Sequence, residues 1–350
     1  MADLSADALV DLLSPVFETS VAVSDVEHHV EGWSRDTASV TVSWSDEDGD
    51  HERRVVVRAE SDEQVNGTVH DPGNDIETEY RTMAAVDNSS VPVPETLGWV
   101  GDRSVIGGKS FVVDHCPGEA PIVWNEDDRA DLYDQWDGDS YLPREFVEAL
   151  AGIHAHAPAD VPELERHDNY AEWELERWER TYRDVTSTPE PAVEEAFRWY
   201  HDNTPSVPEQ TLVHGDYRIG NVLVEKERIS AVLDWELAKI GDPLYDLGYA
   251  SLPYFSGKLL EPIERPDLAC SLLEREWFYD TYEEVTGRTV DMERLRYWRS
   301  FSAFVMLTTS LVGVNRFREG TTSDLRNAWF QYTVPGLIDD MLEPIRAERT

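Results

Sequence analysis

The hydrophobic pattern changes its period once along the chain, and that change limits the folds open to it. Before Gly118 the apolar residues alternate as strands require. Val40, Val42 and Trp44 alternate with Ser and Thr over 39–44, and 54–59 carries Val55, Val56 and Val57. An acidic turn with Gly49 joins these two runs as a hairpin. Residues 5–13 read as a short helix capped by Ser5, 61–75 as a polar loop, and 76–86 as a helix capped by Asp75. Residues 91–99 and 110–113 complete the predicted strands. After Gly118 helical periodicity dominates, over 143–157, 165–184, 189–203, 265–286, 291–317 and 324–343. One β-like island interrupts it, at 211–213, 222–225 and 229–234. The prediction is an α+β chain of two lobes: a small β-rich lobe over 1–115 and a larger, mostly helical lobe over 116–350.

The island carries the chemistry. T-L-V-H-G-D-Y-R-I-G-N-V-L-V, Thr211 to Val224, precedes I-S-A-V-L-D-W-E, Ile229 to Glu236. A strand ends at His214, a loop holds Asp216 and Asn221, and a hairpin returns the chain to Asp234. Two carboxylates and an amide thus meet at one end of a small sheet. Phosphoryl transfer needs such a set, because a negatively charged phosphate must be neutralised by Mg²⁺, which takes hard oxygen ligands. Asn221 and Asp234 can supply them, leaving Asp216 to orient the attacking hydroxyl and accept its proton. The plain alternative is an acidic turn between strands.

Charge sets the surroundings. The chain has 71 acidic and 30 basic residues, a formal net charge of −41. Such a charge repels itself in dilute buffer, and molar salt screens most of that repulsion. With hydrophobic residues at 41% the chain is no acidic disordered tail, so the composition fits a halophile's cytoplasm. The same field argues against a nucleic-acid partner. No apolar run is long enough to cross a membrane, no secretory start is visible, and the expected location is cytoplasmic. Cys116 and Cys270 alone cannot build a disulfide framework.

H-G-D-x-x-x-x-N followed by the Asp-Trp-Glu strand end resembles the aminoglycoside phosphotransferase and choline kinase-like family. G-D-P-L-Y-D-L-G, Gly241 to Gly248, strengthens the likeness. The wording most resembles the subgroup related to the kinase-like part of acyl-CoA dehydrogenase fusions. The resemblance implies a protein-kinase-like fold and transfer of the γ-phosphoryl of ATP, with Mg²⁺, to a small-molecule hydroxyl. It also implies that Asp242 or Asp246 buttresses the loop and helps start the next helix. Kinase-like folds hold the nucleotide phosphates with a strand Lys paired to a helix Glu. V-V-V-R-A puts Arg58 at the Lys position, and Glu79 is the matching acid, with Glu77 as fallback. The phosphate-covering loop falls on 31–37, where Gly32 and Ser34 could donate to phosphate. Backbone groups from Val113 to His115, before the hinge, would meet the adenine. Gly107-Gly108-Lys109-Ser110 ends like a phosphate-binding loop, but Arg103 stands where the first Gly is required.

His154 and His156 read as packed helix positions, and Arg218 as a residue for substrate, phosphate or an ion pair. Three other readings remain at this level: a non-catalytic nucleotide-binding regulator, a halophilic helical scaffold that binds a partner protein, and a protein kinase, although no A-P-E segment follows Asp234. The sequence does not single out an acceptor or an oligomeric state.

Overall fold

The computed structural model describes residues 2–29, 35–60, 75–87, 89–121, 136, 141–252, 268–269 and 273–347. Contacts divide the chain into two units, Met1–Pro117 and Gly118–Thr350.

The first unit is a five-stranded antiparallel sheet in the order β1-β2-β3-β5-β4, with β1 at Ala22–His29, β2 at Arg35–Asp46, β3 at Gly49–Glu60, β4 at Thr96–Val100 and β5 at Ser110–Asp114. Helix α1 (Ala6–Val16) packs Leu9, Leu12 and Leu13 against one face, where Ala38, Val40, Val42, Val55, Val57, Ala59 and Val112 form the core. A strand alternates its side chains between faces. Arg35, Arg58 and Phe111 therefore lie on the opposite face, toward α2 (Ile76–Val86), whose Tyr80 packs on Phe111 with ring centroids 5.7 Å apart. The Asp75 side chain caps α2 by accepting from the Glu77 and Thr78 amides, as its sequence predicts.

The second unit is built around α8 (Met292–Glu319), a 28-residue helix that buries Trp298, Phe301 and Phe304. Against it and each other lie α3 (Leu142–His154), α4 (Tyr170–Val185), α5 (Pro191–Asp202), α6 (Leu244–Ala250), α7 (Arg275–Thr286), α9 (Leu325–Trp329) and α10 (Val334–Ala347). Aromatics at helical spacing are largely core: Trp178, Tyr182, Trp298 and Phe301 are at most 1% exposed. Two small ladders form the island. β6 (Thr211–Val213) pairs antiparallel with β9 (Lys239–Gly241), and β7 (Val222–Glu225) with β8 (Arg228–Val232). Lys226 and Glu227, with φ of 49° and 63°, make the two-residue turn of the second ladder.

Several expectations need correction. The predicted strand 91–99 begins only at Thr96, since Pro92 and Pro94 cannot donate to a ladder. The predicted helix 265–286 begins at Arg275; Leu268–Ala269 and Leu273–Glu274 pair instead as short strands, β10 and β11. The predicted helix 324–343 is divided by a 3-10 turn at Phe330–Tyr332, and Pro335 sits in the first turn of α10. Strand β1 escaped notice because most of its residues are exposed and show no clean alternation.

Candidate active site

In the second unit, the loop from His214 to Asn221 rests on a buried carboxylate. Asp246 Oδ2 accepts from the His214 amide at 2.8 Å, and Oδ1 accepts from the Gly215 amide at 2.8 Å. His154 Nε2 lies 3.0 Å from the same Oδ2, and its Nδ1 lies 2.7 Å from the Tyr282 hydroxyl. Asp246 and His154 are fully buried. Burial works to raise the Asp246 pKa; the hydrogen bond and charge of His154, with His214 and the Gly215 amide, outweigh it and hold the carboxyl below its ordinary value. Asp242 does a different job. Its Oδ1 accepts from the Leu244 amide at the start of α6, at 3.0 Å, while Oδ2 meets Trp298 Nε1 at 2.8 Å and Arg294 Nε at 3.1 Å. Here burial prevails over Arg294, and the pKa is raised. The two tasks the resemblance left between Asp242 and Asp246 are thus divided: loop support to Asp246, helix start to Asp242.

Gly215 has φ +85°, and a Cβ there would stand 2.2 Å from the Leu237 carbonyl oxygen. Only glycine fits both the backbone angle and this approach. His214 Nε2 lies 2.9 Å from the Leu233 carbonyl, and Nδ1 lies 3.2 Å from the Asp216 amide. A carbonyl takes a donor and an amide needs an acceptor, so Nε2 serves Leu233 and Nδ1 accepts from the Asp216 amide. His214 thus ties the start of the loop to the Leu233 carbonyl and to the Asp216 amide.

Asp216 is half-buried. Arg218 Nε lies 3.2 Å and 3.4 Å from its two carboxylate oxygens. Asn221 Nδ2 donates to Asp216 Oδ2 at 2.7 Å and to the Asp216 carbonyl at 2.9 Å. Burial acts to lower the Arg218 pKa, but the charges of Asp216, Tyr249 and Asp234 prevail and raise it. Burial also pushes the Tyr249 hydroxyl well up, reinforced by the charge and hydrogen bond of Asp216. The Asn221 carbonyl accepts from the amide of Leu233, the residue before Asp234, at 2.8 Å. Asp234 itself is left-handed, with φ 68° and ψ 64°. A non-glycine residue there stores on the order of 1–3 kcal/mol of strain, a feature that gathers at functional sites. Asp216, Asn221 and Asp234 are thus brought together by the hairpin.

This set suits Mg²⁺. Asn221 commits its Nδ2 to Asp216, so Oδ1 is the atom with which it could hold a metal, and the Asp234 carboxylate could join it. Mg²⁺ keeps several waters and takes few protein oxygens. Among the described residues no group of three or more His, Cys, Asp or Glu could hold a metal by itself, so the fit rests on this mixed pair.

In the first unit, Arg58 Nη1 lies 2.8 Å from Glu79 Oε1, and Glu79 is 1% exposed. Glu77, the fallback, instead meets Arg81 at 2.9 Å and Lys109 at 3.8 Å. Arg35 joins the pair, with Nε 3.2 Å from Glu79 Oε2. No sequence signal beyond its place in the expected loop marked Arg35. Val113 lies within β5, paired with Val56 and Thr96. The His115 amide donates to the Arg54 carbonyl at 3.1 Å and the Asp114 amide to the Glu95 carbonyl at 2.8 Å, so both donors are taken within the sheet. Gly32 and Ser34 lie outside the described residues.

Residues 31–269 match the family model described as "Phosphotransferase enzyme family". The chain belongs to the phosphotransferase enzyme family. Among this family member's curated relatives, mouse acyl-CoA dehydrogenase family member 10 is 31% identical over 208 residues, which is 58% of this chain and 19% of that protein. The matches span roughly a fifth to a third of the acyl-CoA dehydrogenase relatives' length. Among solved structures, a Ralstonia eutropha protein assigned to the aminoglycoside phosphotransferases superposes with a TM-score of 0.72 at 22% identity, covering 98% of both chains. A thermostable mutant of aminoglycoside phosphotransferase APH(4)-Ia, in ternary complex with AMP-PNP and hygromycin B, gives 0.59 at 21% identity, covering 96% of this chain and 99% of that one. At these identities the structural likeness is one of fold. The expected kinase-like fold and the kinship with both groups are met.

Proposed function

We propose that this phosphotransferase moves the γ-phosphoryl group of ATP to a hydroxyl of a small molecule, with Asp216 as the catalytic base. The observation that carries the reading is the Asp216 carboxylate, held by Arg218 and Asn221 beside the left-handed Asp234. ATP as donor is supported by the nucleotide analogue bound to APH(4)-Ia.

Asp216 accepts a hydrogen bond from the acceptor hydroxyl and takes its proton as the oxygen attacks phosphorus. The new O–P bond forms as the bond to the β-phosphate oxygen breaks, and ADP leaves. Arg218 and Asn221 fix the carboxylate so that little reorganisation accompanies attack. Mg²⁺, held by Asn221 and Asp234, would neutralise phosphate charge. Arg58, paired with Glu79, binds the nucleotide phosphates; Gly32 and Ser34 of the 31–37 segment add donors; Val113 and the His115 carbonyl serve the base. In this reading 1–115 is the nucleotide-binding lobe and 116–350 the catalytic and acceptor lobe. Two acceptor classes are tested first: an aminoglycoside such as the hygromycin B bound to APH(4)-Ia, and a hydroxyacyl compound, to which the subgroup resemblance points.

The test is transfer of labelled γ-phosphate from Mg²⁺–ATP, in molar KCl, into hygromycin B, hydroxyacyl-CoAs and a pooled metabolite extract. Label appearing with wild type and not with Asp216→Asn supports the kinase. Tight Mg²⁺–ATP binding without transfer to any acceptor favours a nucleotide-binding regulator.

A further inference from the structure

Two arginines converge on one buried glutamate in the first unit. The register of β2 on β3 requires it: Arg35 pairs with Glu60, Thr37 pairs with Arg58, and so Arg35 is the diagonal neighbour of Arg58 on one sheet face. Helix α2 presents Glu79 to that face. At closest approach each arginine has its own oxygen, Oε2 for Arg35 at 3.2 Å and Oε1 for Arg58 at 2.8 Å. Exposure separates their tasks. The Arg35 side chain is 2% exposed and that of Glu79 1%, whereas that of Arg58 is 20% exposed. Arg58 is the member exposed enough to meet a ligand, and Arg35 is buried with the carboxylate.

A glutamate's terminal torsion is broad, so a carboxylate held from one side alone can turn. It can also present both oxygens to a single guanidinium, whose planar fork matches them. Either movement would draw Arg58 onto Glu79 and away from a phosphate. We infer that Arg35 is a positioning residue for nucleotide phosphates: by fixing Glu79 from the side opposite Arg58, it sets the direction of the Arg58 guanidinium. The inference rests on the reading above that Arg58 binds phosphate. It also explains how the strand position can carry Arg rather than Lys, since a fork needs a carboxylate that does not rotate.

Calorimetry of the full chain in molar KCl tests it, with Mg²⁺–AMP-PNP and adenosine as probes. Arg35→Gln should weaken Mg²⁺–AMP-PNP at least about tenfold and leave adenosine, which has no phosphate, within about twofold. Arg35→Lys, which keeps a cation on Oε2, should recover most of the AMP-PNP affinity. Unchanged AMP-PNP binding in Arg35→Gln, an equal loss for adenosine, or an Arg35→Lys variant as weak as Arg35→Gln would each overturn the inference. A wild-type chain that binds adenosine but gains nothing from the phosphates would overturn the phosphate role of Arg58, and this inference with it.

Discussion

Asp216 does not stand alone in its loop, and its neighbours define what a substitution there should do. Asn at 216 keeps the shape and removes the proton acceptor, so kcat should fall by about 10²–10⁴ while nucleotide affinity stays near wild type. Turnover within a fewfold of wild type would remove Asp216 from the chemistry. Asp234→Ala deletes the carboxylate of the proposed metal pair and should abolish the Mg²⁺ dependence of nucleotide binding in calorimetry; an unchanged metal response would assign the ion elsewhere. Gly215→Ala forces a side chain into a positive-φ position and 2.2 Å from a backbone oxygen that cannot move aside alone. The expected cost is about 2 kcal/mol or more, with most activity lost, and a melting curve plus a turnover assay reads both.

At the scale of elements, helix α6 carries the support of the loop through Asp246. Its native pKa lies below the unfolded value of 3.8. Between the two, the unfolded chain takes up the proton first, so the group's stabilisation is complete above the unfolded pKa and is lost as pH falls through the native one. Asp246→Asn should therefore cost about 2–4 kcal/mol at pH 7, and the gap to wild type should narrow below about pH 4. A gap that stays constant into that acid range would show that the Asp246 charge is not what holds the loop. Much of this was legible in the residues. The resemblance of V-V-V-R-A to the kinase strand placed Arg58 at the Lys position, and the spacing from His214 to Asp234 placed the loop and hairpin. Arg35 was not legible, because its partner comes from a helix distant in sequence and only the β2–β3 register brings it near. The role of His154 was hidden too, since a buried polar network and an apolar packing position read alike on a helix. Strand β9, at three residues, is too short for its period to show.

For the whole molecule, the excess of acidic groups gives the clearest expectation. At 0.1 M salt charges interact over about 10 Å, and at molar salt over about 3 Å. Raising KCl from about 0.1 M to about 2 M should therefore lift the melting temperature by about 10 °C or more; a flat or falling curve would show that the −41 charge does not limit stability. Among the described residues no helix is long and apolar enough to cross a membrane. The contact between Gly215 and Leu237 has a consequence for anyone redesigning this enzyme. With main chain resting on main chain, the segments bearing Asp216 and Asp234 behave as one casting, and no side-chain choice at the joint can retune the distance between these two carboxylates. Libraries aimed at a new acceptor should leave 214–221 and 233–238 untouched.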